Sequence, residues 1–176
     1  MIGFLRFAGI FNAAVWLGAL IFFAFGAEPA LGSDDVRSLL QKSFAYISDA
    51  VAQTVHLRMF YWSLACGIVA SLHLFAEWLY LGRSARRFSA WLLVLLLTLT
   101  MISGCWVQPQ IRTLHIARFL GVTPAERQKA QQSIGHWRRI STMIDLFLML
   151  GVTAYLWRTS NPPDKLRFLD PMKVRS

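Results

Sequence analysis

The stretch from Ala90 to Val107, AWLLVLLLTLTMISGCWV, contains 18 residues and no charged side chain. In a helix it would be about 27 Å long, close to the ~30 Å hydrocarbon core of a bilayer. Three further apolar segments have spanning length, namely residues 7–27, 59–81 and 140–157. The sequence therefore predicts an all-α integral membrane four-helix bundle with four spans.

The composition supports a membrane protein. Of 176 residues, 56% are apolar and 15% are charged, against roughly 45–50% and 25% in soluble domains. The net charge is +9, but the basic residues flank the apolar runs, where they would meet anionic headgroups. We therefore expect the lipid bilayer to be a partner and nucleic acid not to be one.

Basic residues also give the expected orientation. With four spans both termini lie on one side, together with the short loop that holds Arg83, Arg86 and Arg87. Lys and Arg are equally numerous on the two sides, but they are densest in this loop, and dense basic loops stay in the cytoplasm. The expected location is the cell inner (plasma) membrane, with cytoplasmic termini.

Two segments on the opposite side carry helical patterns that extend the spans, which predicts helices projecting beyond the bilayer. Ser33 followed by Asp34 is a typical helix start, and we expect one helix over 34–58 that continues into the second span. Residues 108–139 should form a hairpin whose second helix starts at a capping box, Thr123 to Glu126, and runs unbroken into the fourth span. Residues 161–176 form a basic tail.

Several short motifs resemble the transmembrane protein 205-like family, which comprises small four-pass membrane proteins of unknown function. The residues that carry this resemblance are Trp16, Gly18 and Pro29 at the first span, Trp106 and Pro109 at the third, and Ser141 at the fourth. The resemblance covers residues 7–157 and implies a four-helix membrane fold, without a reaction. Arg138 and Asp145 stand where family members carry His and Asn.

Four polar residues fall inside predicted spans and form a candidate intramembrane cluster, because buried polar groups in a bilayer are costly and are often functional. They are His73, Glu77, Asn12 and Asp145. His73 and Glu77 share a helix face, and we expect both to point into the bundle near Asn12, with Arg6 reaching inward. The cluster is either a proton-handling site or a hydrogen-bonded clip between helices, and the clip is favoured.

Asp145 lies near the other end of its span. Its expected ion-pair partners are Arg138, two turns earlier, or Arg58 at the mouth of the second span. A structural ion pair is the favoured interpretation, and a cation or substrate site at the mouth of the bundle is the alternative.

Histidines raise the question of haem or a metal ion. His56, His136 and His115 lie outside the spans and are the candidate ligands. No Cys-x-x-Cys-His attachment site or Glu-x-x-His motif is present, so we expect no metal and no cofactor, with haem as the alternative.

The leading functional hypothesis is a non-enzymatic membrane protein, either an accessory subunit of a complex or a small-solute handling protein. The first alternative is a haem-binding electron-transfer subunit, and the second is a small transporter or channel that acts as an oligomer. We expect association with other membrane subunits or with further copies of the chain. Small residues such as Ala14 and Gly18 permit close helix approach.

Overall fold

The structure is a computed structural model that describes residues 2–40, 44–81, 87–120 and 123–161. The basic loop residues Arg83 and Arg86 lie outside these ranges, as does the basic tail after Asn161. The helices are α1 (Ile2–Phe22), α2 (Glu28–Leu31), α3 (Asp34–Leu40), α4 (Phe44–Leu81), α5 (Arg87–Ile102), α6 (Gln108–Leu120) and α7 (Pro124–Ser160). Two single π-helical turns, π1 (Phe23–Ala27) and π2 (Ser103–Val107), join α1 to α2 and α5 to α6.

The described residues form an all-α bundle with no strand among them, which confirms the predicted fold class. Four long helices are apolar enough to cross a membrane, within 4–36, 46–79, 88–120 and 124–160. Helix α1 packs against α4 and α7, and α5 packs against the same two helices. The four spans therefore form a ring in chain order, in which neighbouring helices run in opposite directions.

Large side chains fill the centre of this ring. Trp16, Leu96, Val152 and Tyr155 are among the most deeply buried residues of the described part. Close packing matters here because lipid tails are as apolar as leucine, so helices in a bilayer associate through van der Waals contact. Gly151 permits one such contact, since a Cβ there would lie 2.5 Å from Leu96 Cδ2.

The two ends of the bundle, the terminal end and the projecting end, differ in composition. The terminal end holds Ile2 and Ser160, the first and last residues of the long helices. The projecting end consists of residues 28–58 and 108–140. The hairpin of α6 and α7 forms its larger part, because these two helices pack together along their length.

One predicted extension is wrong. Residues 34–58 do not form one straight helix, because the Ser48 hydroxyl donates to the Leu31 carbonyl at 2.8 Å. A continuous helix would hold residues 34 and 48 roughly 21 Å apart, whereas Leu31 and residue 34 are at most about 11 Å apart along the chain. The chain reverses instead, so that α3 precedes α4 with 41–43 outside the described residues. The start of α3 follows the prediction, since the Val36 N–H donates to the Ser33 hydroxyl at 3.4 Å.

The other extension agrees with its prediction. The Glu126 N–H donates to the Thr123 hydroxyl, and the Thr123 N–H donates to the Glu126 carboxylate, both at 3.3 Å. This capping box starts α7, which continues without a break to Ser160. Helix α7 therefore carries residues of the projecting end and of the membrane span on one rigid element.

Candidate functional site

At the terminal end, His73 joins α4 to α1. Its Nε2 lies 2.7 Å from the Leu5 carbonyl, and because a carbonyl only accepts, Nε2 carries the proton and donates it. The ring lies directly on the backbone of Gly9, where a Cβ would overlap it. Glu77 Oε1 is 4.0 Å from the same Nε2, too far for a hydrogen bond. The geometry is that of a clip between two helices.

Two expected neighbours of His73 are elsewhere. Asn12 Nδ2 donates to the Cys66 carbonyl at 2.9 Å, and Cys66 precedes His73 by two helical turns, about 10 Å. Arg6 does not reach inward, because its Nη2 donates to the Ser160 carbonyl at 2.6 Å. Asn12 bonds to α4 about two turns away from His73, and Arg6 bonds to the end of α7, so the predicted grouping with His73 and Glu77 is wrong for Asn12 and for Arg6.

Asp145 lies elsewhere, in the part of its span that adjoins the projecting end. There an outer cavity of about 220 Å³ opens between α2, α4, α6 and α7. The charged and polar residues of its lining include Glu28, Asp49, Gln53, Arg138, Ser141 and Asp145, and Asp49 pairs with Arg138. The predicted four-residue cluster is therefore divided along the bundle: α4 and α7 run in the same direction, and Asp145 lies near the start of its span whereas His73 lies near the end of its own.

A smaller inner cavity adjoins the outer one. It has about 30 Å³, enough for a water molecule, which needs roughly 10–15 Å³ of such volume. Three residues line both cavities, namely His56, Gln108 and Asp145. The hydroxyl residues of the inner cavity are Ser63, Thr100 and Ser103. Together the two cavities form a polar inlet that leads from the projecting end toward the middle of the bundle.

The expected ion pairs of Asp145 are not formed. Arg138 donates through Nη2 to Asp49 Oδ1, and Arg118 Nη1 donates to Asp49 Oδ2 at 3.3 Å. Arg138 cannot serve both carboxylates, since Asp145 follows it by two turns of the same helix, about 10 Å. Within the described ranges Asp145 has neither a hydrogen bond nor an ion pair. A partly buried carboxylate is therefore left facing the inlet.

Sequence reasoning missed Asp49. This carboxylate on α4 accepts from α6 and α7 and also lies 3.9 Å from His115 Nε2. A lone Asp in an otherwise amphipathic helix is typical of a solvent-exposed face, so no pattern marked it. Asp49 also affects the inlet, because it pairs with the guanidinium of Arg138, which would otherwise be available to Asp145.

The three candidate haem ligands have three different surroundings. His56 contacts the ring of Phe23 edge-on at 4.5 Å, and His136 is exposed. His115 is buried beside Tyr46 and Phe119, with ring centroids 5.4 and 4.9 Å away. No group of three or more His, Cys, Asp or Glu side chains suited to a metal ion occurs among the described residues.

The residues that carry the family resemblance are placed as follows. Trp16 fills the core, Ser141 is buried with its hydroxyl 3.4 Å from Gln108 Nε2, and Trp106 contacts Trp137 at 6.3 Å. Gly18, Pro29 and Pro109 are exposed. Only Ser141 lines the inlet.

Both π-helical turns border the inlet. Phe23 begins π1 and Ser103 begins π2, and both line the inner cavity. Such turns widen a helix locally and are frequent at functional sites. The sequence offers no signal for them beyond Gly26 and Gly104, one glycine in each turn.

The fold and the inlet define a multi-pass α-helical membrane protein with a polar cavity open at one end. The chain belongs to the family described as a domain of unknown function, DUF4149, whose model matches residues 11–119. This match confirms an uncharacterised family, while the narrower likeness to the transmembrane protein 205-like family stays a prediction. Helix α7, with Ser141 and Asp145, lies beyond the matched residues. Neither the curated proteins nor the solved structures give a match.

Proposed function

We propose that this chain is a non-enzymatic membrane protein that binds a small monovalent cation in the polar inlet, with Asp145 as the charged ligand. The observation that carries the proposal is the carboxylate of Asp145, which faces the inlet and has no partner within the described ranges. A carboxylate taken partly out of water is costly unless a positive charge offsets it. A cation in the inlet would provide that charge.

The other lining groups suit the same ligand. Gln108 and Ser141 supply neutral oxygens, and Glu28 adds a second carboxylate to the outer cavity. Oxygen ligands are those that hard cations prefer. The outer cavity of about 220 Å³ exceeds the volume of a bare ion, so it would admit a cation with part of its hydration shell, or ammonium.

The inlet ends inside the bundle, which favours binding over conduction by a single copy. Beyond the inner cavity the core is filled by Trp16, Leu96 and Val152. Passage across the membrane would require these side chains to move or several copies to assemble. We therefore favour the hypothesis of a small-solute handling protein over that of a channel or transporter that acts as an oligomer.

Location, orientation and partners are part of the proposal. We propose the inner membrane with cytoplasmic termini, so that the inlet opens away from the cytoplasm. Cysteines introduced at Ser84 and Ser133 test this orientation, because only position 133 should react with an impermeant reagent outside intact cells. Labelling of position 84 would reverse it.

Association with other membrane subunits, or with a second copy, also stays a proposal. It is supported by Ala14 and Gly18, which are exposed on one face of α1, where no other segment comes within 4 Å of a Cβ built on Gly18. Small residues let another helix approach closely. Native mass spectrometry from membranes would test it: species heavier than one chain support it, and a bare monomer contradicts it.

The cation proposal is tested by thermal unfolding of the purified full chain in detergent, at constant ionic strength, with potassium, ammonium or choline chloride. Potassium or ammonium should raise the Tm of the wild type, and choline, whose methyl groups keep oxygen ligands away from the charged nitrogen, should not. Asp145→Asn should abolish the rise. Asp34→Asn removes an exposed carboxylate on α3 and should leave it intact. An equal Tm rise in wild type and Asp145→Asn contradicts the proposal.

A further inference from the structure

A second large cavity lies on the other side of Gln108, between α4 and the π2–α6 segment. Its volume is about 490 Å³. The polar side chains that line it are Gln53, Thr54, Gln108, Arg112 and His115. No acidic side chain lines it, which distinguishes it from the inlet with Glu28 and Asp145.

Its positive charge is not neutralised. Arg112 is exposed on α6 and has no acidic partner within the described ranges. Arg118 and Arg138 pair with Asp49 and do not line this cavity, so Arg112 is the guanidinium that the cavity presents. The positive charge in this cavity would attract an anion. The N–H groups of an Arg side chain are arranged so that they can donate hydrogen bonds to phosphate oxygens.

His115 adds a buried donor. Its side chain is only 6% exposed, and its Nε2 is buried without a hydrogen-bond partner. Asp49 Oδ2, at 3.9 Å, is beyond hydrogen-bond reach. A buried polar nitrogen without a partner is costly. His115 lines the cavity, so an anion seated there would lie beside its imidazole ring.

The position of the cavity along the bundle indicates where the anion comes from. Leu57 and Gly104 line its inner part, and Tyr46 and Ile116 line its outer part. The second predicted span begins at residue 59 and the third ends at residue 107, so the cavity lies at the depth of the headgroups. Leu57 and Ile116 are exposed apolar side chains that suit the glycerol and upper acyl region of a lipid.

We propose that this cavity binds the phosphate of a phospholipid headgroup from the leaflet at the projecting end, with Arg112 as the charged donor and His115 as the buried one. The phosphate is the recognised group. The apolar rim favours a lipid over free phosphate as its source. The proposal does not depend on the cation inlet, because the two residues that border both sites, Gln53 and Gln108, are neutral.

The test measures binding of short-chain phosphatidylglycerol, short-chain phosphatidylcholine and inorganic phosphate to the purified full chain in detergent. Both lipids should bind, phosphatidylglycerol more tightly because of its net charge, and inorganic phosphate at least tenfold more weakly. Arg112→Gln should weaken lipid binding about tenfold, the usual effect of losing one charge-assisted hydrogen bond. Arg139→Gln changes the same charge at an exposed position of α7 and should bind like the wild type.

If Arg112→Gln folds poorly, a second variant can still test the proposal. His115→Gln retains a donor but shortens its reach, and it should weaken lipid binding while cation-dependent Tm shifts at the inlet persist. Equal lipid affinity in Arg112→Gln, Arg139→Gln and wild type overturns the proposal. Inorganic phosphate that binds as tightly as the lipids overturns the lipid source and identifies a free-anion site.

Discussion

Replacement of Asp49 by Asn should loosen the projecting end. The side chain of Asp49 is 14% exposed and accepts from Arg118, which is 26% exposed, and Arg138, which is 52% exposed. A charge-assisted hydrogen bond in a largely enclosed setting contributes about 1.5 kcal/mol, and an exposed ion pair about 0.5 kcal/mol. Asp49→Asn should therefore lower the free energy of unfolding by about 2 kcal/mol.

The assay is equilibrium unfolding in mixed detergent micelles, followed by tryptophan fluorescence. The control is Asp34→Asn, which removes an exposed carboxylate from α3 and should cost less than about 0.5 kcal/mol. A double-mutant cycle with Arg138→Gln isolates one pair, and its coupling energy should be about 0.5 kcal/mol or more. If Asp49→Asn is as stable as Asp34→Asn, the network does not hold α4, α6 and α7 together and the reasoning is refuted.

Four further predictions concern single features. Thr123→Ala should lower the free energy of unfolding by about 0.5–2 kcal/mol, the cost of losing the cap of α7, and a loss below that range in chemical unfolding would contradict the capping role. Gly9→Ala should destabilise the terminal end, because its Cβ overlaps the His73 ring, and unchanged stability would show that the ring is not seated there. Glu77→Gln should leave the fold and any assembly intact if His73 is only a clip, whereas loss of function with intact assembly would favour proton handling. Purified protein should show no Soret band, and a band that Ala at position 56 or 136 removes would establish the haem alternative.

The spans and caps were predictable because local sequence determines them. An uncharged run such as 90–107 needs only its own length to be recognised, and the capping box between Thr123 and Glu126 depends on residues three apart. The apolar run forms its backbone hydrogen bonds within one helix, and the capping box consists of two bonds between the side chains and backbone N–H groups of Thr123 and Glu126. No knowledge of neighbouring helices is required.

The inlet was predictable only in part, because its geometry depends on contacts between distant segments. Asp145 was recognisable as a charge in an apolar run, but its lack of a partner depends on Asp49, which lies 96 residues earlier and binds Arg138 instead. The reversal before α4, which brings Ser48 to Leu31, likewise has no local signal. The spacing of apolar residues predicts which face of a helix is buried, but it does not predict which other helix packs against that face.

Anomalous scattering from crystals grown with thallium(I), which substitutes for potassium and ammonium, tests the cation inlet most directly. The account predicts one strong peak within about 3 Å of the Asp145 carboxylate, between Gln108 and Ser141, that is missing in Asp145→Asn crystals. A wild-type map without a peak in the inlet, or with an Arg or Lys side chain paired to Asp145, would contradict it.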